Sequence, residues 1–496
     1  MRGVLGAVGA MALCAGVAQA AVVVNPFAAI QPGTTAQIEW FTQLPATAAQ
    51  PARAAAQQIK ALPDGSGRMF VNDTRGILYV TNKAGGAPVP YLDLRTAGIG
   101  FSNAAHTIQT GLMSVAFHPN FNRDPDQPGY RTFYTIDTTL PSAGTAGWSV
   151  PGAPVNHHNV VREWTVADPA AATASVTGMR EVMRVAQPFT DHGAGTIAFN
   201  PTATPADADY GKLYIGMGDG GGTNDPFGSA QSLTSPFGKI LRIDPADPDG
   251  AGPLTYAVPG DNPFVGEAGA RGEVWAYGLR NPQQFDWSSD GRMFIADIGQ
   301  SQIEEVNLGQ AGANYGWPLR EGAFAHAGSD IYDTPANDGR FVDPIGQYDH
   351  EEIIRDGASN LASIGSAILY EGSLVPALIG KMVVSDLVSG RLFYFDPDAA
   401  VPGENPILRE LRLMLGGLPT TMRDLEGYSR TDRVDLRLGI DVDGELYLIT
   451  KGDGDIYRFV ATPVPEAATW AMAILGFGLV GFGLRRRRRR RAFGHA

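Results

Sequence analysis

The sequence contains one cysteine among 496 residues, Cys14, which lies in an apolar run near the N-terminus. Residues 1–20 combine a basic residue at position 2, this apolar run and an Ala-Gln-Ala ending, which is the layout of a secretory signal peptide cleaved after Ala20. A lipoprotein anchor at Cys14 is the alternative, although Leu13 is bulkier than the small residue such processing requires. A mature chain without thiols excludes disulfides, cysteine–zinc sites and a cysteine nucleophile.

Charged residues are also scarce, at 18%, and most of them are acidic. The 38 basic residues include eight arginines in the two end segments, Arg2 and the run 485–491, which leaves 30 basic residues against 51 acidic ones in the body. Such a body repels nucleic acid and attracts cations, Ca²⁺ among them. We therefore expect no nucleic-acid partner.

Long amphipathic helical patterns are absent, and the 62 glycines favour a β-protein with many turns. One unit, a glycine-containing polar turn followed by an apolar strand, recurs along the chain. Because radial repetition leaves only short sheet edges, this recurrence predicts an all-β propeller, whose blade number does not follow from the irregular spacing. Copies lie at 62–80, 111–117, 209–217, 289–296, 380–385 and 441–449, and long loops at 124–129, 139–157, 219–238 and 322–348 are predicted to be functional.

The same patterns divide the chain into four parts. After the signal peptide 1–20, residues 21–56 read as an irregular lead-in with one candidate strand at 36–41. The propeller is predicted over 57–460, and residues 461–496 form a separate tail. Within the tail, 18 mainly apolar residues, Ala467–Leu484, are just long enough for a transmembrane helix, and the arginine run marks its cytoplasmic side.

From Val464 onward, the order of a Val-Pro-Glu motif, an apolar segment and an arginine run resembles the PEP-CTERM sorting signal, although Ala467 replaces the second proline of that signal. The resemblance implies processing by an exosortase. It also implies a secreted or cell-envelope location in a Gram-negative bacterium, with membrane contact only through this tail.

Two clusters of side chains could carry chemistry. Asp191-His192 lies among glycines just before a strand, where an imidazole of suitable pKa could act as a base, although a structural histidine is the alternative. Asp297-Ile-Gly-Gln300, followed by Glu304, Glu305 and Tyr315, supplies oxygen ligands suited to Ca²⁺, although acidic residues at a strand edge are often simply solvated. The glycine-rich turn 218–222 lacks the Gly-Lys-Ser/Thr ending and helix of a phosphate loop.

Seven motifs follow one another along the chain: Gly111–Pro119, Asp191–Gly195, Leu213–Gly221, Phe237–Asp244, Asp261–Phe264, Trp275–Pro282 and Asn314–Trp317. In this order they resemble the glucose/sorbosone dehydrogenase family over about residues 55 to 460. The resemblance implies a six-bladed β-propeller that uses pyrroloquinoline quinone (PQQ) and Ca²⁺ to oxidise aldose sugars, as soluble aldose sugar dehydrogenases do.

Carried over to this sequence, the resemblance implies that His192 is the general base, with Gln109 and Asp191 beside it. Arg280 and Asn281 would contact the quinone oxygens. An arginine at this point stabilises the negative charge that arrives with hydride.

The resemblance also implies two calcium sites. Main-chain oxygens of Gly299 and Gln300 would hold the catalytic Ca²⁺, which polarises the quinone carbonyl. Glu304, Glu305 and Tyr315 would match a second, structural Ca²⁺ site.

The sequence departs from the family where a lysine and two arginines grip the cofactor carboxylates. The segment Asp386–Arg391 has no lysine, and Arg437 is the only residue that matches one of the arginines, with Arg391 or Arg433 as replacements. Two alternative functions therefore stay open: a cofactor-free, calcium-dependent carbohydrate-binding propeller of the cell envelope, and a calcium-dependent lactone hydrolase.

Overall fold

The structure is a computed structural model that describes residues 21–24, 26–49, 53–103, 109–246, 255–333, 339–350, 362–428 and 432–462. The predicted signal peptide 1–20 and the tail from residue 463, with its candidate transmembrane helix, lie outside the described residues. Within the described ranges, no helix is long and apolar enough to cross a membrane.

Nearly all of the regular secondary structure in the described residues is β-strand, which confirms the predicted all-β class. Strands β1 (Val22–Val23) and β2 (Gln31–Gln43) precede three antiparallel four-stranded groups. These groups are β3 (Ala56–Ala61), β4 (Arg68–Asp73), β5 (Ile77–Asn82) and β6 (Val89–Asp93); β7 (Leu112–Phe117), β8 (Thr132–Thr139), β9 (His157–Val166) and β10 (Val176–Gln187); and β11 (Ala194–Phe199), β12 (Leu213–Met217), β13 (Lys239–Ile243) and β14 (Val274–Tyr277).

The second half of the chain repeats this arrangement. Helical structure among the described residues is limited to single turns at Leu94–Thr96, Pro141–Ala143, Pro376–Leu378 and Met422–Leu425. The strands are β15 (Pro282–Trp287), β16 (Met293–Asp297), β17 (Ile303–Leu308), β18 (Arg320–Glu321), β19 (Phe324–Ala327), β20 (Asp330–Tyr332), β21 (Gly346–Asp349), β22 (Ile364–Leu369), β23 (Met382–Asp386), β24 (Leu392–Phe395), β25 (Arg409–Leu415), β26 (Leu418–Thr420), β27 (Arg437–Ile440), β28 (Leu446–Ile449) and β29 (Asp455–Val460).

The first strands of these groups pack around one centre. Strands β3, β7, β11, β15, β22 and β27 contact one another in a closed ring, and β27 pairs in parallel with β3. Apolar cores fill the spaces between neighbouring groups, as where Phe70 and Leu78 meet Phe133 and Trp164. This radial arrangement is a β-propeller, which leaves only short, protected sheet edges.

Strand β2 is the finding that differs most from the expected lead-in. It spans 13 residues rather than the six of the candidate strand 36–41. It pairs antiparallel with β29 and parallel with β25. Residues from the start of the chain therefore complete a group whose other strands, β27 to β29, come from its end. Local periodicity cannot reveal a partner more than 400 residues away, because strand pairing of this kind is a tertiary property.

Buried polar side chains link the inner strands on one side of the centre. Gln58 Nε2 donates to Thr196 Oγ1 at 2.6 Å, and Ser114 Oγ donates to Gln58 Oε1 at 2.7 Å. Thr196 Oγ1 then donates to the Gln283 carbonyl at 3.0 Å. These contacts join β3, β7, β11 and β15.

The same network continues on the other side. Ser366 Oγ donates to Gln284 Oε1, and the Leu438 amide donates to Ser366 Oγ at 2.9 Å. Gln284 Nε2 donates to the Leu438 carbonyl at 3.4 Å. Side chains rather than backbone ladders therefore join most of the ring, since only β27 and β3 pair there through their backbones.

Replacing Gln58 with alanine tests the weight of this network. Gln58→Ala removes one hydrogen-bond partner from each of the buried Ser114 and Thr196 hydroxyls, so we expect the free energy of unfolding to fall by about 2–4 kcal/mol. Denaturant unfolding followed by tryptophan fluorescence measures the change. Gln31→Ala, at an exposed position, is the matched control and should shift it by less than about 0.5 kcal/mol; equal effects would contradict a central role for the network.

Candidate active site

A cleft of about 620 Å³ opens over one end of the inner ring. Its lining consists of polar residues and glycines from the loops before β11 and β15, the loops after β12 and β16, and the turn between β19 and β20. The lining residues are Asp191, Gly222, Thr223, Asn224, Arg280, Gln300, Ser301, Gly328 and Ser329.

Topology explains why these residues meet. His192 precedes β11 and Arg280 precedes β15, so each lies where an inner strand begins. Asp219 and Gln300 follow β12 and β16, the antiparallel second strands, which end where the inner strands begin. The Asp219 amide donates to the Arg280 carbonyl at 2.7 Å, which ties the two groups together.

His192 is oriented by a buried carboxylate. Its Nδ1 lies 2.7 Å from Asp219 Oδ1, and the Asp219 side chain is fully buried. Although burial opposes ionisation, His192 and Arg280 hold the pKa of Asp219 below its usual value. Because a carboxylate only accepts hydrogen bonds, Nδ1 carries the proton and Nε2 remains a proton acceptor. This Nε2 lies 3.9 Å from Oδ2 of Asp191, which lines the cleft.

Two further side chains fix this pair. The His192 amide donates to Gln109 Oε1 at 2.5 Å, and His192 has a positive φ of 49° that this bond supports. Trp317 Nε1 donates to Asp219 Oδ2 at 2.8 Å, so both carboxylate oxygens are engaged. The predicted neighbours Gln109 and Asp191 are therefore brought to His192.

Arg280 and Asn281 lie at the same end of the ring. The Asp297 carboxylate accepts the amides of Arg280 at 2.9 Å and Asn281 at 2.6 Å. Arg280 Nη1 donates to the carbonyls of Ile298 and Gly299, and its guanidinium lies 5.5 Å from the ring centroid of Trp317. Arg280 Nε and Asn281 Nδ2 are buried donors with no partner.

One carboxylate, that of Glu321, holds the loop that contains Gly299 and Gln300. Glu321 Oε1 accepts four consecutive backbone amides, at 2.7 to 3.2 Å, from residues 300–303. Two hydrogen bonds also join Gln300 to Asn224. Gln300 Nε2 donates to Asn224 Oδ1 at 2.6 Å, and the Asn224 amide donates to Gln300 Oε1 at 2.7 Å. Glu321 and Asn224 therefore both fix this loop.

Glu304, Glu305 and Tyr315 are not brought together. Glu304 accepts from His350 Nε2 at 2.7 Å, whereas Glu305 accepts from the Gly322 amide at 2.6 Å. Adjacent strand residues point to opposite faces, and the Tyr315 hydroxyl donates to Leu308 at the far end of β17. Burial raises the pKa of Glu305 to about 8.

The metal ligands that the sequence suggests are of two kinds, carboxylate and hydroxyl side chains on the one hand and main-chain carbonyls on the other. Across the described ranges, no three His, Cys, Asp or Glu side chains are grouped so that they could hold a metal ion. Gly299 and Gln300, by contrast, present their main chain in the loop beside the cleft, and the Gly299 carbonyl already accepts from Arg280 at 2.6 Å.

A cluster of cations lies before β27 and after β28. Arg437 Nη2, Arg433 Nη2 and Lys451 Nζ lie 3.5, 3.7 and 3.8 Å from the carboxylate of Asp435, and Nε of both arginines is buried without a partner. Burial alone would raise the pKa of Asp435, but the three cations lower it to about 2. Arg391 is not in this cluster, because its Nε donates to Glu410 at 3.0 Å.

Sequence reasoning did not assign three of these side chains. Asp219 stood in a glycine-rich turn that reads as a connector, and Trp317 stood in a motif without a role. Lys451 follows the second strand of a recurring unit. The other five second strands carry or lead to aspartates: Asp73, Asp137, Asp219, Asp297 and Asp386. Comparing the ends of the recurring units would have singled out Asp219 and Lys451.

Fold and site together define a β-propeller with a histidine–carboxylate pair in a polar cleft. The profile of the glucose/sorbosone dehydrogenase family matches residues 54–458, and the PEP-CTERM protein-sorting motif matches residues 463–489. The chain belongs to the glucose/sorbosone dehydrogenase family and carries a PEP-CTERM motif, which confirms both resemblances.

Individual relatives and solved structures are similar to this chain. The HIPL1 protein of Arabidopsis thaliana is 30% identical over 438 residues, which cover 80% of this chain and 60% of that relative. The soluble aldose sugar dehydrogenase of Escherichia coli, in its apo-form, has a TM-score of 0.55 and 20% identity over 86% of this chain and 100% of that one. The PQQ-bound aldose sugar dehydrogenase of Streptomyces coelicolor has a TM-score of 0.53 and 21% identity, over 86% of this chain and 99% of that one.

Glu321→Gln should loosen the loop that carries Gly299 and Gln300. Losing the charge weakens four amide hydrogen bonds, so we expect the free energy of unfolding to fall by about 1–3 kcal/mol. Hydrogen exchange of the amides of residues 300–303 should accelerate more than that of the strands. Glu371→Gln, whose exposed carboxylate caps Ser289, is the control; unchanged exchange at 300–303 would contradict the clamp.

Proposed function

We propose that this protein oxidises the anomeric carbon of aldose sugars, with PQQ as hydride acceptor and Ca²⁺ as its metal partner. The observation that carries the proposal is the His192–Asp219 pair, whose Nε2 lies beside cleft-lining Asp191, with Arg280 lining the same cleft. A base next to a fixed guanidinium suits a reaction that removes a proton and generates negative charge.

The side chains present fit PQQ. Its quinone oxygens need donors, and Arg280 Nε and Asn281 Nδ2 are buried donors with no partner. Its carboxylates need cations, and Arg433, Arg437 and Lys451 surround a single carboxylate. We propose that Arg437 and Lys451 hold the cofactor carboxylates, with Lys451 in place of the lysine that the segment 386–391 lacks.

For Ca²⁺, we propose the main-chain oxygens of Gly299 and Gln300. Carbonyl oxygens are hard ligands, and Glu321 fixes the loop that presents them. Glu304 and Glu305, on opposite faces of β17, do not fit one ion together with Tyr315, so we propose only the first of the two calcium sites.

Each residue of the site has a separate role in the proposed reaction. A bound PQQ would supply the hydride acceptor for the anomeric carbon, and a bound Ca²⁺ would supply Lewis-acid polarisation. His192 Nε2 takes the proton of the anomeric hydroxyl, and Asp219 stabilises the imidazolium that forms. Gln109 fixes the His192 backbone, and Asp191 offers the sugar a carboxylate acceptor.

The propeller itself is proposed to have six blades. Six four-stranded groups support this count: β3–β6, β7–β10, β11–β14, β15–β17 with β21, β22–β25, and β27–β29 with β2. The PEP-CTERM motif supports export, exosortase processing and a cell-envelope or secreted location. We accordingly propose that the cleft meets its sugars outside the cytoplasm.

A second candidate is a carbohydrate-binding propeller without cofactor. Asp435 favours it, because its carboxylate already offsets one of the three charges in the cation cluster. A cofactor titration decides between the two candidates.

Titration with PQQ in the presence of Ca²⁺ is the central test. We expect saturable binding with a shift in the cofactor spectrum, aldose-dependent reduction of a dye, and loss of activity after chelation that added Ca²⁺ restores. His192→Ala should lower kcat by about 10²–10⁴-fold because the base is gone. Its affinity for PQQ should stay within about twofold of the wild type. The absence of both PQQ binding and dye reduction with every aldose tested would refute the proposed function.

Lys451→Met tests the anchoring of the cofactor carboxylates. Removing one buried cation should raise the Kd for PQQ by about ten- to a hundredfold, measured by fluorescence quenching. Lys381→Met is the matched control, since Lys381 pairs with Asp396 at the surface and should leave the Kd unchanged. A Kd unaffected by Lys451→Met, in a protein whose circular dichroism matches the wild type, would remove Lys451 from the cofactor site.

A further inference from the structure

Two phenylalanines stand beside the cleft without a role in the chemistry above. The rings of Phe189 and Phe227, hereafter the aromatic rim, lie 5.9 Å apart between centroids with 30° between their planes. Phe227 is 39% exposed and Phe189 is half-buried. Other exposed apolar side chains, such as Ile379 and Leu418, are common on protein surfaces and need no explanation.

The aromatic rim adjoins the cleft through Phe189, against which Phe227 packs. A Cβ built on Gly222, which lines the cleft, would lie 3.1 Å from Phe189 Cε2. A Cβ on Gly221, where φ is +94°, would lie 2.7 Å from Phe189 Cβ and 2.5 Å from Asp191 Oδ1. Only a glycine turn therefore separates the aromatic rim from Asp191 and the cleft.

The loop that presents Phe227 is held in place. The Asp225 carboxylate accepts the amides of Ser229 at 2.8 Å and Ala230 at 2.7 Å, and Asn224 is paired with Gln300 across the cleft. On the Phe189 side, Gln187 Nε2 donates to the Asp191 carbonyl at 2.8 Å. An exposed aromatic ring on a fixed loop offers binding area at low entropic cost.

The chemistry around the aromatic rim selects its ligand. A pyranose ring has a C–H face that packs on an aromatic ring and hydroxyls at its edge that need polar partners. Phe227 offers such a face, and Thr223, Asn224 and Asp191 offer polar groups along the adjoining cleft. Oxidation at the anomeric carbon also requires a free reducing end, so the rest of a longer saccharide must point out of the cleft.

We propose that the aromatic rim binds the sugar residue next to the one that is oxidised, which makes reducing disaccharides and longer saccharides the preferred substrates. This inference rests on the proposed function for its kinetic consequence, but the binding of saccharide to the aromatic rim needs no cofactor.

Kinetics with glucose and maltose test the proposal in the PQQ- and Ca²⁺-loaded protein. Phe227→Ala should raise the KM for maltose by about five- to tenfold and raise the KM for glucose much less, with little change in kcat. Phe227→Trp should restore the KM for maltose, and Ile379→Ala should leave the KM for both sugars unchanged. Equal effects on the two sugars, or none, would overturn the proposal.

Binding without cofactor separates this inference from the proposed function. Saturation-transfer NMR of wild-type protein should show contacts to maltose that Phe227→Ala weakens, even if no aldose is oxidised. Absence of PQQ binding combined with such contacts would refute the dehydrogenase and support the aromatic rim. If Phe227→Ala instead converts a dimer to a monomer in size-exclusion chromatography and leaves maltose contacts intact, the aromatic rim is a contact between copies and the proposal fails.

Discussion

The closed ring of inner strands is the constraint on which the rest of this molecule depends. A polar network of glutamine, serine and threonine side chains crosses its centre and joins strands that share few backbone contacts. Such buried polar groups are costly unless every partner is in place, so the network specifies how the groups are spaced around the centre. An apolar centre of the same size would fill the space without setting that spacing.

The site follows from this ring because strand direction places its parts. Every inner strand begins, and every second strand ends, at the same face, so the loops there deliver side chains from separate groups to one cleft. Buried aspartates at the ends of second strands then hold the loops: Asp297 binds the amides of residues 280 and 281, and Asp219 orients His192. The carboxylates that the sequence carries in excess are in part structural devices of this kind.

Sequence patterns predicted most of what is local. The recurring turn-and-strand unit predicts the radial all-β fold, whereas the placement of His192 and Arg280 at one site comes from the family resemblance. Contacts between distant loops escape such patterns, as the Asp219–His192 pair does, because the two residues belong to different strands of one group. Spacing also misleads within a strand: Glu304 and Glu305 are neighbours in sequence, yet the alternation of a β-strand points them to opposite faces.

Strand β2 has a consequence for how the chain reaches its folded state. Its partners β25 and β29 come late in the chain, so β2 stays without them until nearly the whole domain is available. Pairing across such a separation is slow, because loop closure comes before the contacts that reward it. A truncated or partly exported chain would expose unpaired strand edges, which favour aggregation. The outer edge of the last group is therefore covered only when its strands from both ends of the chain are present.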